Sequence, residues 1–114
     1  MSQHKDHSMQ ADFEAAGAVY PKVTASRIDE LMQSVTFSAH IVPGTTTTVA
    51  TAILTQGHIK FTLANEFTAC VDPRNFNAEL GEKYAIEKAA ASARNKLWEL
   101  EGYALAQQVL TSAE

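Results

Sequence analysis

Between Arg74 and Tyr103 the chain gathers the side chains that ligand chemistry needs. Arg74, Lys83, Lys88, Arg94 and Lys96 are five of its nine basic residues, accompanied by the aromatics Phe76, Tyr84, Trp98 and Tyr103 and the amides Asn75, Asn77 and Asn95. Cations hold phosphate through charge-assisted hydrogen bonds, a flat ring offers a stacking platform, and an amide reads the edge of a base. Each group also has an ordinary structural role. Phe76, beside a helix start, suits a hydrophobic staple as well as a stacking platform. Lys83 and Lys88 have Glu79, Glu82 and Glu87 as neighbours, the arrangement of a solvated, salt-bridged face. Arg94 stands among alanines with no acid four residues before or after it, which marks it for phosphate. Trp98, one turn on, suits stacking on that guanidinium or a place in the core.

Catalytic patterns are poorly supplied. The chain has no glycine-rich phosphate loop, no Cys-x-x-Cys pair and no His-Glu-x-x-His helix. His4 and His7 give a metal two ligands at most, and His40 and His58 are expected on neighbouring strands, where they either converge or serve as ordinary sheet residues. Cys70 as a nucleophile requires a base and a lowered pKa; as a small side chain it requires neither. Asp72, Glu79 and Glu82 are the acids that nucleotide hydrolysis would call on. The expectation is a protein that is not an enzyme and carries no cofactor and no metal.

At 114 residues and 46% apolar content the chain has the composition of one small globular domain, whose modest core favours partner subunits. A net charge of -4 speaks against broad electrostatic binding to nucleic acid or to an anionic membrane. No apolar run approaches the roughly 18 residues of a spanning helix, and Met1 to Gln10 lack the apolar core of a signal peptide, so a cytoplasmic location is expected.

These groups must be positioned by a few elements. From Met1 to Gly17 the apolar residues are sparse and aperiodic, so residues 1–19 read as a flexible N-terminal arm and 20–114 as one domain. Thr24 or Ser26 suits the cap of a short helix over 24–34, with Val23, Ile28, Leu31, Met32 and Val35 at helical spacing. The period then changes to two. Val35, Phe37, Ala39 and Ile41 alternate with polar residues, Pro43-Gly44 turns, and Thr45 to Leu54 are β-branched enough for a second strand. Gln56-Gly57 suits a hairpin tip before Ile59, Phe61 and Leu63, and Phe67 to Val71 form a further extended piece. Asp72-Pro73 closes the sheet, and Asn75 or Asn77 caps a helix from Ala78. The apolar stripe on that helix reads Leu80, Tyr84, Ala90, Ala93, Leu97, Leu100 and Ala104. A helix over 78–111 would be roughly 50 Å long at 1.5 Å per residue. Such a length calls either for a break near Ser92 to Asn95 or for cover by another subunit. Gly81 within it costs about 1 kcal/mol of helix propensity, which points to close approach of a backbone or a ligand. The fold class is therefore α+β: a short helix, an antiparallel sheet of three or four strands, and one long or two consecutive C-terminal helices.

Ala69-Cys70-Val71-Asp72-Pro73, Asn75-Phe76, Glu79, Gly81, Lys83, Ala85 and the closing Lys96-Leu97-Trp98 with Leu100-Glu101-Gly102-Tyr103 and Leu105 resemble the signature of a small tailed-phage protein family named after numbered gene products of short-tailed enterobacterial phages. Pro43-Gly44-Thr45-Thr46-Thr47-Thr48-Val49 is similar to its first hairpin, and the likeness spans roughly residues 26 to 110. Glu82 stands where the family usually has a basic residue, and Gln56-Gly57-His58-Ile59 replaces its Asn-Gly-Phe hairpin. Relatives in this family include the type-one anti-Thoeris proteins, which sequester a cyclic ADP-ribose isomer and in some cases cyclic oligonucleotides. The resemblance implies a homo-oligomer, dimer or hexamer, that captures a cyclic nucleotide signal in an infected bacterium without cleaving it. The candidate ligand-binding set is then Asn75, Phe76, Lys83, Arg94, Asn95 and Trp98. A module that binds a host or phage protein through its alanine-rich helical face is the alternative.

Overall fold

A computed structural model describes residues 3–18 and 20–113. Helix α1 (Gln3–Ala15) and helix α2 (Ala25–Met32) precede strands β1 (Val35–Ile41), β2 (Thr47–Gln56) and β3 (Ile59–Ala69). A single 3-10 turn (Pro73–Asn75) leads into helix α3 (Ala78–Ala113). The fold is α+β, and the sheet has three antiparallel strands in the order β1-β2-β3. The chain divides into two compact units, Met1–Gln33 with Arg94–Glu114, and Ser34–Ala93. Helix α3 belongs to both and is unbroken over its 36 residues, so the break expected near Ser92 does not occur.

The unit formed by residues 34–93 is built on small residues. Along β2 burial alternates, with Thr48, Ala50, Ala52 and Leu54 inward, as a half-covered strand requires. On α3 the buried positions are Ala85, Ala89 and Ala93, one every four residues, and Gly81 precedes them at the same interval. Leu80 and Tyr84, expected on the inner stripe, are 48% and 49% exposed. Their bulk explains the difference: a Cβ added at Gly81 would stand 2.9 Å from Thr48 Oγ1. An approach this close calls for glycine at this position and alanine at the three buried ones that follow, and turns larger side chains outward. Thr68 Oγ1 donates to the Gly81 carbonyl at 2.9 Å, Lys88 Nζ to the Phe67 carbonyl at 2.9 Å, and Ser92 Oγ to Glu66 at 2.8 Å. These bonds fix α3 against β3 along three turns.

Strand register follows the two hairpins. Gly44 and Gly57 take positive φ of 76° and 61°, the left-handed conformations their turns need. Between β2 and β3 the pairing shifts at Ala52/Ile53, opposite Ala64 and Thr62, leaving Leu63 as the extra residue. The bulge breaks the simple alternation expected from Ile59 onward: Leu63 is buried while Ile59 and Phe61 are 53% and 46% exposed. His40 pairs with Val49 and His58 lies in the turn after Gln56, so the two histidines sit toward opposite ends of β2 and do not converge.

In the other unit, Thr24 caps α2 by accepting from the Arg27 amide at 3.1 Å, and Ile28, Leu31 and Leu97 are buried. Arg27 Nε donates to Glu101 at 2.8 Å, tying α2 to α3. The segment read as an aperiodic arm is helix α1. Its apolar residues form no stripe, and Met9 and Phe13 stay 41% and 62% exposed, so hydrophobic periodicity gave no signal. Polar contacts hold it instead.

Candidate functional site

Two places concentrate the candidate side chains, one in each unit. The first is a cavity of about 190 Å³ where the end of β3, the Asp72–Asn77 segment and the first two turns of α3 converge. Asp72 caps the 3-10 turn by accepting from the Arg74 amide, and Pro73 starts it with its fixed φ. Asn77 rather than Asn75 caps α3, its Oδ1 accepting from the Leu80 amide at 3.1 Å. A staple would pair Phe76 with the fourth helical position, which is Gly81 and has no side chain. Phe76 is therefore left as a wall of the cavity, with Leu80 and Tyr84. Asn75 and Asn77 add amides, and Thr46, Thr68 and Cys70 close the side nearest the sheet. The Thr46 hydroxyl donates to the Cys70 carbonyl, while Cys70 Sγ lies 3.1 Å from the Asp72 carbonyl.

Neither nearby cation, Lys83 or Arg74, lines this cavity. Lys83 is exposed, with Nζ 5.3 Å from the centroid of the Tyr84 ring, within cation–π range. Arg74 is turned to Asp72 in a bidentate pair, its shortest contact 2.7 Å, and this bond draws the Asp72 carboxyl below the usual carboxylate range. The cavity can thus offer ring faces and amides to a planar ligand, with one exposed ammonium over the ring of its Tyr84 wall.

The second place is a charged cluster in the other unit. Asp6 Oδ2 accepts from Arg94 Nε at 2.6 Å and from Trp98 Nε1 at 2.8 Å. Arg94 Nη1 donates to Asp29 Oδ1 at 2.8 Å, and His7 Nε2 lies 2.7 Å from Asp29 Oδ2. The His7 bond first, and then that of Arg94, hold the Asp29 carboxyl at about 2 against the upward push of burial. Asp6 is fully buried at its side chain and Arg94 is 8% exposed there.

The six candidates therefore separate. Asn75 and Phe76 line the first cavity, and Lys83 lies beside its Tyr84 wall. Arg94 and Trp98 meet in the second place, where they share one carboxylate oxygen instead of stacking on each other. Asn95 is exposed on the neighbouring position of α3. The acid that Arg94 lacks within its own helix comes from Asp6, 88 residues away, a pairing no local pattern reveals. Tyr84, Asn77, Thr46 and Thr68 were not among the six. Tyr84 carried a signal, about two turns after the capping Asn77; the threonines carried one only through the register that pairs Thr48 with Thr68.

Among the described residues no group of three or more His, Cys, Asp or Glu is placed to hold a metal ion, and no helix is long and apolar enough to cross a membrane. With the α+β fold and these two places defined, the comparison with known proteins gives the class. Residues 23–109 match the model of a family described as Phage protein (N4 Gp49/phage Sf6 gene 66). The chain belongs to this phage protein family. Helix α1 lies outside the matched span. No curated protein and no solved structure matches the chain.

Proposed function

We propose that this phage protein captures a cyclic nucleotide immune signal, a cyclic ADP-ribose isomer or a cyclic oligonucleotide, and holds it without cleaving it. The observation that carries the reading is the convergence of Phe76, Tyr84, Asn75 and Asn77 on one cavity beside the Lys83 ammonium. Rings stack on a base at about 1–3 kcal/mol each, amides read its edge, and the ammonium meets a phosphate oxygen. The cavity, about 190 Å³, is smaller than the roughly 300–1,000 Å³ of sites that enclose whole ligands. One chain would then supply a base subsite and a second copy the rest, which makes a homo-oligomer part of the proposal. The described residues that line the cavity include no Asp, Glu or His.

Exposed Leu100, Tyr103, Val109 and Leu110 on α3 support the competing reading, a protein-binding helical face. One experiment divides the two. Purified protein is mixed with the cyclic ADP-ribose isomer or a panel of cyclic oligonucleotides, separated from free ligand, and heated. Capture predicts that one nucleotide is retained, returned chemically intact, and lost in Phe76→Ala and Tyr84→Ala. Absence of retention for every nucleotide rejects the proposal, and turnover of the ligand would expose an enzyme.

A further inference from the structure

We propose that Arg94 and Trp98 form an oxyanion site which the chain itself fills with the carboxylate of Asp6, so that helix α1 is a releasable plug that a phosphate-class anion displaces. Asp6 is a poor match for the donors around it. A single oxygen, Oδ2, takes the bonds from both Arg94 Nε and Trp98 Nε1, whereas Asp6 Oδ1 and Arg94 Nη2, both buried, have no hydrogen-bond partner among the described residues. A tetrahedral oxyanion has the oxygens to take Nε and Nη2 as a fork and still accept from the indole.

The attachment of α1 is of the kind an anion can compete with. Asp6 is its one buried described residue, and its bonds to the unit are polar: Asp6 to Arg94 and Trp98, His7 to Asp29, and Gln10 Oε1 accepting from the Ala25 amide. Beside the cluster lies a mostly apolar cavity of about 320 Å³, lined by Met9, Phe13 and Val23 as well as by Asp6, Lys22 and Trp98. Lys22 Nζ lies 3.5 Å from Glu14 of α1. Lifting α1 therefore removes the acids from two cations together, Arg94 and Lys22, while Asp29 stays on Nη1 and keeps the guanidinium oriented. The proposal shares no residue with nucleotide capture at Phe76 and Tyr84 and does not depend on it.

The test uses the full chain and inorganic pyrophosphate at constant ionic strength, followed through the fluorescence of Trp98, the only tryptophan. A saturable change is expected with pyrophosphate and not with sodium chloride of equal ionic strength, accompanied by faster amide exchange in α1. Asp6→Asn, which vacates the charge but keeps an acceptor for the indole, should bind pyrophosphate about tenfold tighter. His7→Ala, which loosens α1 without touching Arg94 or Trp98, should bind a few-fold tighter, and Arg94→Lys should lose most of the affinity. Equal affinities in the parent chain, Asp6→Asn and His7→Ala, or no saturable response in any of them, would overturn the proposal.

Discussion

The two units solve the same problem, holding a helix in place, with opposite chemistry. In residues 34–93, helix α3 lies on β2 and β3 through glycine, alanine and threonine, and its hydrogen bonds to the sheet lie along the edge of an apolar contact. In the unit of residues 1–33 and 94–114, helix α1 is fastened by a buried ion pair and its satellites, with its larger apolar side chains left exposed. Close packing tolerates no added volume but is indifferent to pH and salt. A buried charge pair tolerates shape changes poorly for another reason: removing one partner strands the other. The contrast assigns different sensitivities to different substitutions.

The largest effect is expected at Arg94. Arg94→Ala leaves Asp6 buried without its cation and should cost about 3–5 kcal/mol in chemical denaturation. A loss below about 1 kcal/mol would show that water or chain movement compensates, and would erase the contrast. In the other unit, Ala89→Leu adds a branched side chain at a position with no exposure and should cost about 1–3 kcal/mol by overpacking. Gly81→Ala gains about 1 kcal/mol of helix propensity but forces Thr48 Oγ1 to move, so a net loss of about 1 kcal/mol is expected. Thr48 is buried and β-branched, which leaves its side chain little room to rotate.

Acid should separate the units without any substitution. The Asp29 carboxyl, ordinarily near 3.8, is held at about 2 in the folded chain, so it contributes stability that is full above pH 4 and is lost as pH falls toward 2. Amide exchange in α1 and α2 should therefore rise across that window in the parent chain and rise less in Asp29→Asn, with β2 protected throughout. The smallest effect is expected for Arg74→Ala: its ion pair with Asp72 is solvent-exposed on the arginine side, and the melting temperature should not change measurably.

The sheet was legible because its signals are local. β-branched alternation, Pro43-Gly44 and Gln56-Gly57 put three or four strands and two turns in place, the extended piece from Phe67 proving to be the end of β3, and the residues from Ala69 to Leu105 pointed to the phage family that the match over 23–109 shows. The start of α3 was legible too, through Pro73 and the two asparagines, although the sequence left open which of them caps it. What escaped was long-range or small. Leu80 and Tyr84 looked like the inner stripe because size suggests burial, yet the face that meets β2 is the one without bulk. Helix α1 escaped because its hold on the unit depends on Asp6 finding Arg94 and Trp98, and no period in residues 3–15 encodes that meeting. The same meeting explains why Arg94, unpaired by sequence, does not stand in the cavity beside Phe76.

Native mass spectrometry of the purified protein with the cyclic ADP-ribose isomer and the cyclic oligonucleotides tests the central claim most directly. Nucleotide capture predicts an assembly of identical chains whose mass increases by whole, uncleaved ligand molecules, and no such increase for the Phe76→Ala, Tyr84→Ala double variant. A monomer whose mass is unchanged by any of these nucleotides, or equal uptake by the double variant, would contradict it.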